Sequence, residues 1–233
     1  MKKMIIASTS TVYGSGYLAY IMPTLQAHFK NVKTIIFIPY ARPGGISYDG
    51  YTTLVKKAFA EININVKGIH EFENPKQAIL NAAGLFTGGG NTFELLNQLY
   101  KKDILTDLKL AIENGIPYLG TSAGSNICGV NMKNTNDMPI VYPPSFNALC
   151  CIPFNINGHY LDPVAGSTHM GETRETRIKE FHVFNETPVL GLREGSWLSV
   201  EKDIITLQGK HTARLFLQNK KAIELESGAA VII

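Results

Sequence analysis

Short β-branched runs alternate with helical patterns over the first two-thirds of the chain, and this alternation is what most restricts the fold. Met4–Ala7, Thr34–Pro39, Asn65–His70, Leu85–Thr87 and Ile116–Gly120 are written as strands, with helical patterns at about residues 16–29, 50–61, 75–82, 91–100 and 103–113. Strands separated by helices pair in parallel, because a crossover helix carries the chain back to the same end of the sheet. Terminal signals agree: Asn74 before Pro75 suits an N-cap with proline in the first turn, Gly115 suits the position past a helix end, and Asn91 with Glu94 can form a capping pair. After residue 130 the pattern loosens around Pro139, Pro143, Pro144 and Pro153, and one more helix is predicted over Glu172–Phe184. Val189–Leu192, Trp197–Val200, Ile204–Leu207, Arg214–Leu217 and Ala222–Leu225 then read as an antiparallel meander that finishes the sheet or forms its edge. The expected fold class is α/β, with a mostly parallel, doubly wound sheet and antiparallel C-terminal strands. Neither a repeat nor a linker divides it, so residues 1–233 are read as one domain.

Composition removes several function classes. With 45% apolar and 18% charged residues the chain is neither disordered nor fibrous, and no apolar run approaches the ~18 residues a membrane helix needs. The apolar start, Met4–Ala7, is too short for a secretory signal, which places the protein in the cytoplasm. A net charge of +3 with scattered Lys pairs (Lys2-Lys3, Lys56-Lys57, Lys101-Lys102, Lys220-Lys221) reads as solvated surface, not as a nucleic-acid face. Cys128, Cys150 and Cys151 form neither a disulfide framework nor a CxxC site and are read as reduced thiols.

Chemistry concentrates at Gly120-Thr121-Ser122-Ala123-Gly124, a G-x-S-x-G pattern between an apolar strand and a helical stretch. Such a turn holds a serine hydroxyl out at the carboxyl end of the sheet. Ser122 is therefore a candidate nucleophile, against the alternative of a helix-capping serine in an ordinary βα turn. A serine needs a base within hydrogen-bond reach and a third group to orient that base. Of six histidines, His28 and His182 lie in helical patterns, His70 ends a strand and His211 sits in the late meander. His159, in Asn157-Gly158-His159-Tyr160-Leu161-Asp162-Pro163, occupies a turn-rich loop and is the preferred base, with His169 second. An oxyanion hole would take the N–H of Ala123 and one from Gly88-Gly89-Gly90, centred on Gly89. Phosphate binding by that glycine run lacks the Walker pattern, and Gly14-Ser15-Gly16-Tyr17-Leu18-Ala19 lacks the acidic partner a dinucleotide site requires.

Phe86–Phe93, Gly120–Asn126, Thr135–Ile140, the His159 loop, Gly171–Glu175 and Gly191–Trp197 together resemble the peptidase E family, the α-aspartyl dipeptidases. The resemblance implies a serine hydrolase on a class I glutamine-amidotransferase-like, three-layer α/β fold, cleaving Asp-Xaa dipeptides. It implies Ser122 as nucleophile, His159 as base, and either Asp137 or Glu194 as the third member. Glu194 is favoured for the histidine hydrogen bond and Asp137 for bracing the loop. Arg174 matches the position proposed to bind the substrate aspartate, and a guanidinium fork suits a carboxylate. The alternative for Arg174 is a surface ion pair with Glu175 or near Glu172. No cofactor and no metal are implied, and the partner is a small peptide acted on by a monomer or homodimer. Competing readings are a cyanophycinase-like peptidase, an amidotransferase subunit, which would need cysteine where Ser122 stands, and a non-catalytic binding protein. A metal site of His159, Asp162 and His169 fits no zinc spacing.

Overall fold

A computed structural model describes residues 1–163, 166, 168 and 170–233. His169 lies outside the described residues. In chain order the elements are β1 (Lys3–Ala7), α1 (Met22–His28), β2 (Thr34–Ile38), α2 (Tyr48–Ala60), β3 (Asn65–Gly68), α3 (Pro75–Leu80), β4 (Leu85–Thr87), α4 (Thr92–Lys101), α5 (Leu105–Glu113), β5 (Tyr118–Thr121) and α6 (Ala123–Asn126). They continue with β6 (Asn155–Gly158), α7 (Arg174–Phe184), β7 (Val189–Leu192), β8 (Ser196–Glu201), β9 (Ile204–Gly209), β10 (Ala213–Phe216) and β11 (Ile223–Leu225). A seven-stranded sheet has the order β3-β2-β4-β5-β1-β8-β9, parallel from β3 to β1 and antiparallel at β8 and β9.

The inner strands are apolar on both faces because both faces are covered. Ile5, Ala7, Ile35, Phe37, Phe86 and Leu119 pack with Leu25 of α1 and Val55 and Phe59 of α2. Met4, Ile6, Ile36, Ile38, Leu85 and Tyr118 pack on the opposite face with α4, α5 and α6. Period-two alternation of two apolar sets is the signature of a sheet enclosed between layers, as the expected three-layer α/β architecture requires.

Three local expectations differ from the structure. The helix expected over 16–29 begins at Met22, after a single 3-10 turn at Ala19–Ile21, because Pro23 is tolerated only in a first turn and Leu18 adopts φ 59°. The late strands split between two sheets. β8 and β9 form the edge of the main sheet as expected, but β7, β10 and β11 join β6 in a second sheet of order β11-β10-β7-β6, with β6 and β7 parallel. Strand β6 itself lies in the stretch expected to be loop. Asn155 and Asn157 have low strand propensity, but their side chains staple the strand to the preceding segment. The Asn155 Nδ2 donates to Asn131 Oδ1 at 2.9 Å, and Asn157 Nδ2 donates to Asn134 O at 2.9 Å. These bonds satisfy buried amides and order a stretch that has no apolar periodicity.

One buried group makes the fold acid-sensitive. His28 ends α1, and its Nε2 has no hydrogen-bond partner among the described residues. Burial lowers its pKa from 6.5 to about 4, the Lys3 cation adding to the effect. Between those values the unfolded chain binds the extra proton, so stability from this group is complete above about pH 6.5 and lost as pH falls toward 4. The difference corresponds to about 3 kcal/mol. His28→Phe is expected to flatten the loss of stability between pH 7 and pH 4.5 in urea unfolding, and an unchanged slope would refute this origin.

Candidate active site

The parallel arrangement sends the ends of β1, β4 and β5 to one edge, the usual place for a site in such folds. Ser122 follows β5 and precedes α6 with φ 53° and ψ −113°, a region a non-glycine residue rarely occupies. The bend is held from several sides. Ser122 N donates to Ala7 O at 3.1 Å, while Ser125 N and Asn126 N both reach Ser122 O at 2.9 Å. Gly124 is crowded against β4: a Cβ there would sit 2.1 Å from Thr87 O, so only glycine lets the elbow close on the neighbouring strand.

The glycine run after β4 touches the serine directly. A Cβ on Gly89 would lie 2.9 Å from Ser122 Cβ and 3.2 Å from Thr121 O. This approach brings the backbone of Gly89 beside Ser122, with Ala123 following in the chain. Tyr51 Oη donates to Gly89 O at 3.2 Å and fixes that peptide from the other face.

The imidazole of His159 joins the serine to a carboxylate. Nε2 lies 2.9 Å from Ser122 Oγ, and Nδ1 lies 2.6 Å from Glu194 Oε1. A carboxylate only accepts, so Nδ1 of the neutral ring carries its proton and Nε2 is left to accept from the serine hydroxyl. Both side chains are about half open to solvent, His159 at 40% and Glu194 at 46%. His159 follows β6 with φ 53°, its N–H donating to Ser8 Oγ at 2.9 Å, while the Ser8 hydroxyl donates to Leu192 O at 2.7 Å. Glu194 sits in the turn between β7 and β8, where the chain passes from the small sheet to the large one. Neither Ser8 nor this sheet crossing has a signature in the sequence.

Asp137 is placed elsewhere. Its Oδ2 accepts from Thr92 N at 2.8 Å, from Thr135 Oγ1 at 3.0 Å and from the Thr92 hydroxyl. The carboxylate therefore closes the N-terminal turn of α4, where a negative charge is favoured. His159 Nδ1 is paired with Glu194 and not with Asp137.

Arg174 opens α7 behind the N-cap Thr173, whose Oγ1 accepts from Thr176 N at 3.1 Å. The surface ion pair considered for it is not formed. Glu175 pairs with Lys179 at 2.8 Å and Arg214 at 3.3 Å, and Glu172 with Arg177 at 3.7 Å. Among the described residues, no carboxylate lies within 4.0 Å of the half-buried Arg174 guanidinium. Burial lowers its pKa, Arg177 adds to that, and the charge of Asp137 opposes it. A cation held partly out of water with no ion-pair partner among the described residues favours a bound anion.

No group of three or more His, Cys, Asp or Glu side chains among the described residues is arranged to hold a metal. Residues 14–18 of the glycine pattern after β1 form a turn that opens no helix until Met22, apart from the 3-10 turn. That segment therefore presents no helix N-terminus at the end of β1 to a pyrophosphate.

Residues 4–208 match the family described as Peptidase family S51. The chain is 45% identical over 226 residues to "Peptidase E" of Streptomyces coelicolor, covering 97% of this chain and 92% of that protein. It is 44% identical over 218 residues to "Probable alpha-aspartyl dipeptidase" of Drosophila melanogaster, covering 92% and 90%. The crystal structure of a peptidase from an acI-B1 Actinobacterium superposes with a TM-score of 0.74 at 14% identity, covering 100% of this chain and 97% of that one. At that identity the likeness concerns the fold, and it matches the mostly parallel α/β core described above.

Proposed function

The chain belongs to peptidase family S51, and from that premise we propose that it is a serine-type dipeptidase that hydrolyses dipeptides with an N-terminal aspartate. The observation that carries the site assignment is the unbroken relay from Glu194 through His159 to Ser122, at 2.6 and 2.9 Å.

In this reading Ser122 Oγ attacks the peptide carbonyl carbon while its proton passes to His159 Nε2. The carbonyl π bond opens to an oxyanion that faces the backbone N–H groups of Gly89 and Ala123. Collapse breaks the C–N bond, and His159 returns the proton to the departing amine. Water then attacks the aspartyl ester, giving its proton to His159, and the second collapse frees aspartate and restores the serine. Glu194 holds the ring tautomer and offsets the imidazolium charge at each transfer. Donors fixed at the site of developing charge need no reorganisation during the reaction, which is why a backbone pair on a rigid elbow suits this role.

Arg174 is the proposed partner of the substrate's aspartyl carboxylate, supported by its partial burial and by the missing ion pair. A charge-assisted fork of this kind is worth about 2–3 kcal/mol. Arg174→Ala is therefore expected to lower kcat/KM for Asp-Xaa by about 10²-fold, mostly through KM, and to weaken the preference for Asp over Asn and Ser. The test is a panel of Xaa-Leu dipeptides differing only in the first residue, assayed with both enzymes. Wild-type protein that ignores the first residue would overturn the aspartyl reading, and a variant with unchanged Asp preference would overturn the role of Arg174.

The proposal includes a cytoplasmic location and a small-peptide substrate. Cys128, Cys150 and Cys151 are all free thiols, the state a reducing compartment maintains. Among the described residues, no helix is long and apolar enough to cross a membrane.

A further inference from the structure

Arg193, directly before Glu194, is among the most heavily bonded side chains near the site. Its Nε donates to Asp162 Oδ2 and its Nη2 to Asp162 Oδ1, both at 2.8 Å, a two-pronged fork. Its Nη1 donates to Thr212 Oγ1 at 2.7 Å and to the Glu224 carboxylate. The side chain is only 17% exposed, and its guanidinium carbon lies 5.6 Å from the centre of the Tyr160 ring. Asp162 is held below its ordinary carboxylate pKa chiefly by the hydrogen bond from Arg193. Asp162 also lies 3.6 Å from Arg214, which in turn reaches Glu175 of α7.

These bonds join two segments that the chemistry needs in register. Asp162 stands three residues after His159, and Arg193 one residue before Glu194. The Glu194 carboxylate has no hydrogen-bond partner among the described residues except His159 Nδ1. Its position therefore depends on where the backbone of its turn is held, and the Arg193 side chain is what anchors that turn to the segment carrying the base. Tyr160 N donating to Leu192 O at 3.1 Å ties the same two segments one step earlier.

We propose that Arg193 is a positioning residue for the hydrolysis, holding Glu194 against His159 by its fork on Asp162; this rests on the serine-dipeptidase reading above. Lysine would keep the charge and lose the fork, since one ammonium cannot span both carboxylate oxygens while also reaching Thr212 and Glu224. Arg193→Lys is expected to lower kcat on an Asp-Xaa dipeptide about tenfold and to leave KM within about twofold.

The deciding measurement places the same substitution in a Glu194→Gln background. If Arg193 acts through Glu194, the double variant is slower than Glu194→Gln alone by less than about twofold. Equal tenfold losses in both backgrounds would mean a general structural role and overturn the proposal, as would an Arg193→Lys enzyme with wild-type kcat. Should Arg193→Lys not fold, Asp162→Asn, which removes the charged acceptor and keeps its shape, is put through the same pair of backgrounds. A Glu194→Gln enzyme as active as wild type would sink the triad assignment itself and this proposal with it. The other failures leave the triad standing.

Discussion

Ser122→Ala is expected to lower kcat on Asp-Xaa dipeptides by about 10⁵- to 10⁶-fold while leaving the thermal unfolding midpoint close to wild type. The loss is large because, among the described residues, Ser122 is the hydroxyl in hydrogen-bond contact with His159 Nε2, and it stands on a bend held by Ala7, Ser125 and Asn126. Stability should change little because the bonds that hold the bend run through the backbone N–H and C=O of residue 122, which alanine retains. The strained dihedral of Ser122 is also retained, so strain alone cannot account for any lost activity. A serine-reactive sulfonyl fluoride should label wild-type protein at residue 122 and leave the variant unmodified, as read by mass spectrometry. Ser122→Ala protein that still turns over the dipeptide at more than about a hundredth of the wild-type rate would remove the covalent mechanism.

Glu194→Gln and Asp137→Asn are expected to separate sharply. Glutamine can still accept from His159 Nδ1 but carries no charge to offset the imidazolium, so kcat should fall by about 10²- to 10³-fold. The effect is smaller than for the nucleophile because Glu194 is 46% exposed and water can solvate the charged ring in its place. Asp137→Asn keeps an acceptor oxygen for Thr92 and Thr135 and loses only the charge at the start of α4. That should cost about 1 kcal/mol of stability and less than tenfold in kcat. If Asp137→Asn were the slower enzyme of the two, the third triad member would be Asp137 and the 2.6 Å contact of Glu194 a resting arrangement.

Much of this site is legible residue by residue, but its pairings are not. The elbow around Ser122 is visible because small residues must stand at fixed spacings where a strand turns into a helix, and Gly124 shows why: no side chain fits against Thr87. The turn-rich surroundings of His159 favour it among six histidines, with His169 second on the same ground. The choice between Asp137 and Glu194 is not visible, since each is a carboxylate in a turn at a plausible distance along the chain. What chain order does not encode is the parallel pairing of β6 with β7, which puts Gly158 opposite Leu192 and so brings the next residues, His159 and Arg193-Glu194, to the same edge. Strand β6 is itself the least legible element, because its asparagines find their partners in the segment 131–136 and have no local signal to offer.

The sequence by itself determined the α/β alternation, the mostly parallel sheet and the small-residue elbow on which Ser122 stands, because each depends on residues close together in the chain: apolar period, turn glycines and caps. Only the tertiary structure decided that the late strands divide between two sheets, that Glu194 faces His159 while Asp137 closes α4, and that Arg193 and Asp162 clasp the two loops. Those outcomes depend on which buried polar groups and charges meet across distances the chain order does not encode, and such groups must be satisfied wherever folding brings them.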